Sequence, residues 1–142
     1  RPTWPPATSV LQRLADESCV VYRATRSTKR RAHLARQTWD DLGMIHAKLA
    51  RLDTKALFAV KAVFGPESAR EHCWLRIDTL EGNAASGVLD ADTQMVPGLQ
   101  EGDAHRVNRD EISDWCVVLQ DKRFDPESVP ALWRAVDALG AS

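Results

Sequence analysis

The stretch "REHCWLRIDTLEG", residues 70–82, decides the fold, because it has the pattern of a β-strand that ends in a turn. Side chains alternate between the two faces of a strand. One face is apolar and predicts a core: Cys73, Leu75 and Ile77. The other face is polar and yet carries a tryptophan: His72, Trp74, Arg76 and Asp78. A tryptophan beside a histidine on a polar face is the nearest that the sequence comes to an indication of function.

Helices and further strands surround this stretch. Residues 27–53 have an apolar stripe at three- and four-residue steps, which predicts one long helix. Residues 57–64 and 85–92 and the run at 114–119 predict further strands. Residues 127–140 predict a closing helix. The fold class is therefore α+β: a long N-terminal helix packed on a bent antiparallel sheet of four to five strands, plus a C-terminal helix.

The length of the chain, 142 residues, suits one domain. We assign residues 1–17 to an N-terminal tether and short helix, and residues 18–142 to a single α+β domain. No apolar run approaches the roughly 20 residues of a membrane span, so no membrane span is expected. The Pro-rich start and the first residue, Arg1, fit an exported periplasmic chain with a processed N-terminus, while a cytoplasmic location stays open. The oligomeric state is left open as well.

Charge is unevenly distributed along the chain. Residues 1–56 hold 11 Lys/Arg and 5 Asp/Glu, whereas residues 57–142 hold 8 and 15. A basic first half raises the possibility of nucleic-acid binding. No aromatic residues are interleaved with the basic cluster at residues 29–31, so base stacking is not supported. The better interpretation is a basic helix beside an acidic sheet, and no nucleic-acid partner is expected.

Motifs of catalysis and cofactor binding are weak in this sequence. The spacings GxGxxG, GxxxxGK, GxSxG and HExxH do not occur. A general acid–base pair is conceivable between His72, which is expected to titrate near neutrality, and an aspartate: Asp90, Asp92 or Asp114. His72 and His105 lie near aspartates, but no spacing enforces a metal site, so we predict no metal and no cofactor.

The tryptophans divide into two groups. Trp39, Trp115 and Trp133 lie on apolar stripes and are predicted to be core residues. Trp74 has two possible roles. It is either buried under a helix or exposed beside charge, which is the composition of a recognition site.

Five short motifs together resemble a bacterial family, domain-of-unknown-function family 2314, whose members are called YegJ-like. The motifs are "FAVKAVF", "EHCWL", "SGVLDAD", "PGLQEGD" and "ISDWCV", and the resemblance extends over about residues 26–118. It implies that the following residues recur in the family: Lys61, His72, Trp74, Gly87, Gly98, Gly102, Asp103, Asp114 and Trp115. The resemblance therefore implies that His72 and Trp74 recur together in the family, although it implies no activity.

The chain departs from the resembled pattern at several positions. Cys73 and Cys116 stand where methionines are usual, and Ala91 and Thr93 replace an Asn and a Pro. The paired methionine-to-cysteine change implies that the two cysteines touch, and a disulfide between them is left open. The helix after Leu119 is interpreted as an addition private to this chain.

The resulting hypothesis is a non-enzymatic module that binds a protein partner. Its most concrete form is an immunity or inhibitor protein directed against a secreted toxin. No catalytic residues are assigned, and the candidates for partner binding are His72, Trp74, Arg76, Lys61, Asp90 and Asp92. The alternative is a small hydrolase or metal-assisted enzyme that uses His72 with an aspartate.

Overall fold

A computed structural model describes residues 20–21, 26–65, 70–90 and 100–140, and it confirms an α+β architecture with an antiparallel sheet. The described helices are α1 (Arg26–Gln37), α2 (Trp39–Arg51) and α3 (Val129–Gly140). The strands are β1 (Val20–Val21), β2 (Leu57–Phe64), β3 (Glu71–Glu81), β4 (Ala84–Leu89), β5 (Ala104–Asn108), β6 (Ile112–Leu119) and β7 (Lys122–Phe124). Single 3₁₀ turns precede β6 and α3 (Arg109–Glu111 and Pro126–Ser128).

The strands form one sheet in which every neighbouring pair is antiparallel. Six strands follow the order β5-β4-β3-β2-β6-β7, and β1 pairs with the beginning of β3. The described sheet is thus larger than the predicted four to five strands. The difference arises from the short edge strands, because β7 has three residues and no alternation from which to recognise it.

The predicted long helix is interrupted at Thr38. Its Oγ1 donates to the carbonyl oxygen of Leu34 at 2.8 Å and accepts from Trp115 Nε1 at 2.9 Å. A threonine that bonds back to the preceding turn competes with regular helix geometry and bends the helix. The helix therefore bends where it meets β6. A glycine, Gly43, lies inside α2, and a Cβ there would be 3.3 Å from Leu80 Cδ2. Gly43 thus marks a close approach to the sheet.

The helices cover one face of the sheet and form the main core with it. The apolar residues of the opening stretch, Cys73 and Leu75, are fully buried in this core. Trp39 and Trp115 are buried there as well, at 1% and 0% exposure. Trp133, also predicted as a core residue, is only partly buried and donates from Nε1 to Asp41 Oδ1 at 3.0 Å.

The expected contact between the two cysteines is wrong. Cys73 belongs to the helix-covered core, whereas Cys116 belongs to a smaller cluster on the opposite face. Cys73 is opposite Ala62 and Cys116 is opposite Ala59, so the whole of β2 lies between them. Their side chains therefore point to different sides of the sheet, which also excludes a disulfide in this fold. The third cysteine, Cys19, lies outside the described residues.

Other predictions also fall outside the described residues. These concern the tether and short helix of residues 1–17, the replaced motif positions Ala91 and Thr93, the motif glycine Gly98, and Asp92. Among the helices that the structure describes, none is both long enough and apolar enough to span a membrane.

Candidate functional site: the polar face of the sheet

The face of the sheet opposite the described helices, here called the polar face, gathers five of the six predicted binding residues. His72, Trp74 and Arg76 lie two residues apart on β3, as the alternation predicted. Lys61 on β2 is the register partner of Trp74. Asp90 follows β4 and donates its backbone N–H to the carbonyl oxygen of Trp74 at 3.1 Å, which places it on the other side of Trp74. The five side chains therefore form one contiguous group.

Trp74 lies at the centre of this group and is buried, with 1% of its surface exposed. It packs with Ala59, Cys116 and Val118, and none of the described helices contributes a residue to this cluster. The prediction of an exposed aromatic contact is therefore wrong, and the alternative, a buried tryptophan, is confirmed, although none of the described helices covers it. The indole Nε1–H has no hydrogen-bond partner among the described residues.

Two cations lie against the Trp74 ring. Lys61 Nζ is 5.3 Å from the ring centroid, and Arg123 Cζ is 5.7 Å from it. Both distances are within the range of a cation–π interaction, and the apolar stems of long basic side chains also cover aromatic surface. Sequence reasoning missed Arg123, because it belongs to β7, which has no recognisable strand pattern.

Asp90 and Arg76 form an ion pair beside Trp74. Arg76 Nε lies 2.9 Å from Asp90 Oδ1, and the arginine side chain is 45% exposed while that of the aspartate is 9% exposed. Burial raises the pKa of Asp90, and the positive charge of Arg76 opposes that shift. The second carboxylate oxygen, Oδ2, has no hydrogen-bond partner in the described part of the chain.

His72 is hydrogen-bonded to a serine across the sheet. Ser113 Oγ lies 3.0 Å from His72 Nδ1, and both residues are buried. Ser113 reaches this face because β6 shifts register against β2 between Lys61 and Ala62. Such a bulge redirects a side chain, which plain alternation along the sequence does not predict.

The burial of His72 corrects the expectation that it titrates near neutrality. Burial and, to a smaller extent, the nearby positive charge of Lys61 together lower the pKa of His72 from 6.5 to about 4. The imidazole is therefore neutral at pH 7. A neutral ring accepts or donates one hydrogen bond at Nδ1, which suits the contact with Ser113.

This depressed pKa predicts a pH-dependent stability. Well above pH 6.5, His72 is neutral in both the folded and the unfolded chain, so its titration does not change the free energy of unfolding. As the pH falls from 6.5 towards about 4, the unfolded chain takes up a proton that the folded one excludes, so the folded state loses stability. The shift corresponds to a loss of about 2–3 kcal/mol.

The measurement is urea denaturation of the wild type and His72→Gln at pH 7.5 and pH 4.5. Because other buried groups titrate in both proteins, the difference between the two pH dependences isolates His72. The wild type is expected to lose more stability on acidification than the variant. Equal losses in the two proteins would show that His72 titrates at its ordinary pKa.

Two of the three aspartates proposed as partners of His72 in catalysis pair with arginines, and the third, Asp92, lies outside the described residues. Asp90 pairs with Arg76, and Asp114 pairs with Arg31 of α1 at 3.0 Å. Arg31 also contacts Asp125 at 3.1 Å, so it fastens α1 to β6 and to the turn before α3. As for metals, the part of the chain that the structure describes contains no group of three or more His, Cys, Asp or Glu side chains arranged to hold an ion.

Comparison with family models matches residues 28–136 to a family of uncharacterized proteins conserved in bacteria, DUF2314. This chain belongs to the DUF2314 family. The match extends beyond Val118, where the motifs suggested that it ends, and includes most of α3. The last helix is therefore not an addition private to this chain.

A curated relative of this DUF2314 chain is the uncharacterized protein YegJ of Escherichia coli (strain K12). The two are 29% identical over 75 residues, which cover 53% of this chain and 49% of YegJ. The chain thus matches about half the length of that relative. No solved structure matches it.

Two groups stand out among the residues that the family resemblance singled out. One group shapes the backbone: at Gly87 a Cβ would be 1.9 Å from the carbonyl oxygen of Arg76, and Gly102 adopts a φ of +89° in the turn before β5. The other group includes Lys61, His72 and Trp74, which are neighbours on the polar face. Other residues of this set lie elsewhere, since Trp115 is buried in the main core and Asp114 pairs with Arg31 of α1.

Proposed function

We propose that this DUF2314 chain is a non-enzymatic binding module that docks an acidic protein partner on the polar face. The observation that carries the proposal is the charge around Trp74. Lys61, Arg76 and Arg123 surround it, while Asp90 is paired with Arg76. A basic patch attracts an acidic partner over a distance and favours its correct orientation.

The burial of Trp74 defines its role in this proposal. Its ring, at 1% exposure, supports the two cations and does not itself contact the partner. A rigid support reduces the conformational entropy that Lys61 and Arg123 lose when a partner binds. In its specific form, the proposal makes the chain an immunity or inhibitor protein whose partner is a secreted toxin.

A charge-matched pair of variants tests the docking surface. The site variant is Lys61→Gln/Arg123→Gln, and the control is Lys29→Gln/Arg51→Gln, which removes the same charge from exposed positions on α1 and α2. The partner is the product of an acidic toxin gene next to the gene of this chain, and calorimetry measures its affinity. The site variant is expected to bind about tenfold or more weakly, which corresponds to about 1.4 kcal/mol.

The control variant is expected to bind like the wild type, and added salt is expected to weaken the binding of the wild type more than that of the site variant. Circular dichroism at rising temperature checks that both variants fold. If the two variants bind equally well, the partner docks elsewhere and the assignment to the polar face is wrong. Absence of binding by the wild type contradicts the toxin form of the proposal.

One contact favours a second candidate function, a hydrolase. Ser113 and His72 are 3.0 Å apart, which is the geometry of a nucleophile beside its base. Against this candidate, the low pKa of His72 makes it a weak base, and Asp90 and Asp114 are paired with arginines. A fluorophosphonate probe decides between the two functions. Labelling of the wild type but not of Ser113→Ala would support the hydrolase and contradict the non-enzymatic proposal.

A further inference from the structure

A second feature lies on the helix-covered side of the sheet, away from the polar face. It is a cleft of about 400 Å³ between the C-terminal end of α2, the beginning of β2 and the middle of β3. Its floor is apolar and includes Leu49, Phe58 and Ile77. Polar side chains line it as well: His46, Lys55 and Asp78. A cleft of this size whose lining combines apolar side chains with a few polar groups can hold a small molecule.

A β-bulge builds one side of the cleft. Ile77 and Asp78 are consecutive in β3, and consecutive residues normally point to opposite faces of a sheet. Here both line the same cleft. The reason is the register shift of β3 against β4 between Ile77 and Thr79, which leaves Asp78 as the extra residue. Bulges that re-aim a side chain are common beside functional sites.

The cleft carries opposite charges at its rim. Lys55 and Asp78 are both exposed, and neither forms an ion pair with any residue of the described ranges 26–65, 70–90 and 100–140. The last turn of α2 lies beside them through Leu49 and Ala50. The C-terminal end of a helix carries partial negative charge and favours a cation.

His46 completes the wall without adding charge. Its ring stands edge-on to Phe58, with the centroids 4.8 Å apart and an angle of 75° between the planes. Burial lowers the pKa of His46, so the ring is neutral at pH 7. The cleft therefore presents one cation, one anion and an apolar wall.

We propose that this cleft binds a small zwitterionic ligand of the amino-acid class with an apolar side chain. The carboxylate of the ligand lies at Lys55, and its ammonium group lies between Asp78 and the C-terminal end of α2. Its apolar side chain rests on Phe58 and Ile77. This inference does not depend on the function proposed for the polar face.

Titration of the ¹⁵N-labelled chain with L-leucine tests the proposal by NMR. The matched probes are isopentylamine, which is leucine without its carboxylate, and 4-methylpentanoate, which is leucine without its ammonium group. Leucine is expected to give saturable shifts of the backbone amides of Lys55, Phe58 and Asp78. Each truncated probe is expected to bind about tenfold more weakly, because it loses one charged contact.

Two variants locate the ligand in the cleft. Lys55→Gln is expected to weaken leucine binding about tenfold while leaving the binding of isopentylamine unchanged. Asp78→Asn is expected to weaken leucine binding about tenfold while leaving the binding of 4-methylpentanoate unchanged. Lys122→Gln on β7 is the control and is expected to bind like the wild type. Three outcomes overturn the proposal: no saturable shift up to the solubility limit of leucine, equal affinity for all three probes, or leucine binding that neither cleft variant weakens.

Discussion

Replacing Trp39 with alanine is expected to lower the free energy of unfolding by about 3–5 kcal/mol, the usual cost of removing a buried aromatic side chain. Trp39 is 1% exposed and lies at the beginning of α2, directly after the bend at Thr38. Its indole Nε1 donates to the carbonyl oxygen of Gly82 at 2.6 Å, in the turn between β3 and β4. The substitution therefore leaves a cavity in the core and also removes the hydrogen bond that ties the helix to this turn.

Urea denaturation followed by circular dichroism measures the loss. Met44→Ala is the control on the same helix, because Met44 is 54% exposed, and its substitution is expected to change stability by less than about 0.5 kcal/mol. If Trp39→Ala loses less than about 1 kcal/mol, Trp39 does not anchor α2 to the sheet, since even a modest core truncation costs more than that.

Replacing Gly87 with alanine is expected to destabilise the fold by about 3 kcal/mol or more, because overpacking that displaces backbone is costly. A Cβ at Gly87 would lie 1.9 Å from the carbonyl oxygen of Arg76 and 2.7 Å from its carbonyl carbon. Both contacts are to backbone, so no side-chain rotation relieves them. The strands β3 and β4 must separate, and Arg76 must move away from Asp90.

Gly43→Ala is the matched control for this substitution. Its new Cβ meets only the end of a flexible side chain, Leu80 Cδ2 at 3.3 Å, and alanine is favoured over glycine within a helix by about 1 kcal/mol. The control is therefore expected to be neutral or slightly stabilising. A loss below about 1 kcal/mol for Gly87→Ala would mean that β3 and β4 relax without cost, contrary to the overpacking argument. Chemical denaturation of both variants provides the comparison.

Local pattern was sufficient for much of the fold. The alternation of residues 57–64 predicted β2 with its observed bounds, Leu57–Phe64. The alternation in residues 70–82 assigned Cys73 and Leu75 to the core and His72 and Trp74 to the other face. These predictions succeeded because the period of a strand depends only on its own backbone geometry.

Features that depend on contacts between distant residues were predicted less well. The bend at Thr38 involves a hydrogen bond from Trp115, which is 77 residues away along the chain. The two cysteines were expected to touch, although β2 separates them. In both cases the sequence pattern of one segment contains no information about the partner segment.

The candidate site shows the same division. The spacing of His72, Trp74 and Arg76 was readable from β3 alone, but the positions of Lys61 and Asp90 on either side of Trp74 depend on strand register. Ser113 joins the site through a bulge, and Arg123 joins it from an edge strand of three residues. No local signal distinguishes either residue.

By itself, the sequence determined which residues share a face in the regular parts of the strands, because side-chain alternation is a property of the isolated backbone; the bulges at Asp78 and Ser113 are the exceptions. It likewise determined that the chain combines helices with an antiparallel sheet. Only the tertiary structure decided that Trp74 is buried beside two cations, on the face opposite the described helices. It also decided that Ile77 and Asp78 line one cleft. Burial, ion pairing and bulges result from packing between distant segments, and packing is a property of the whole fold.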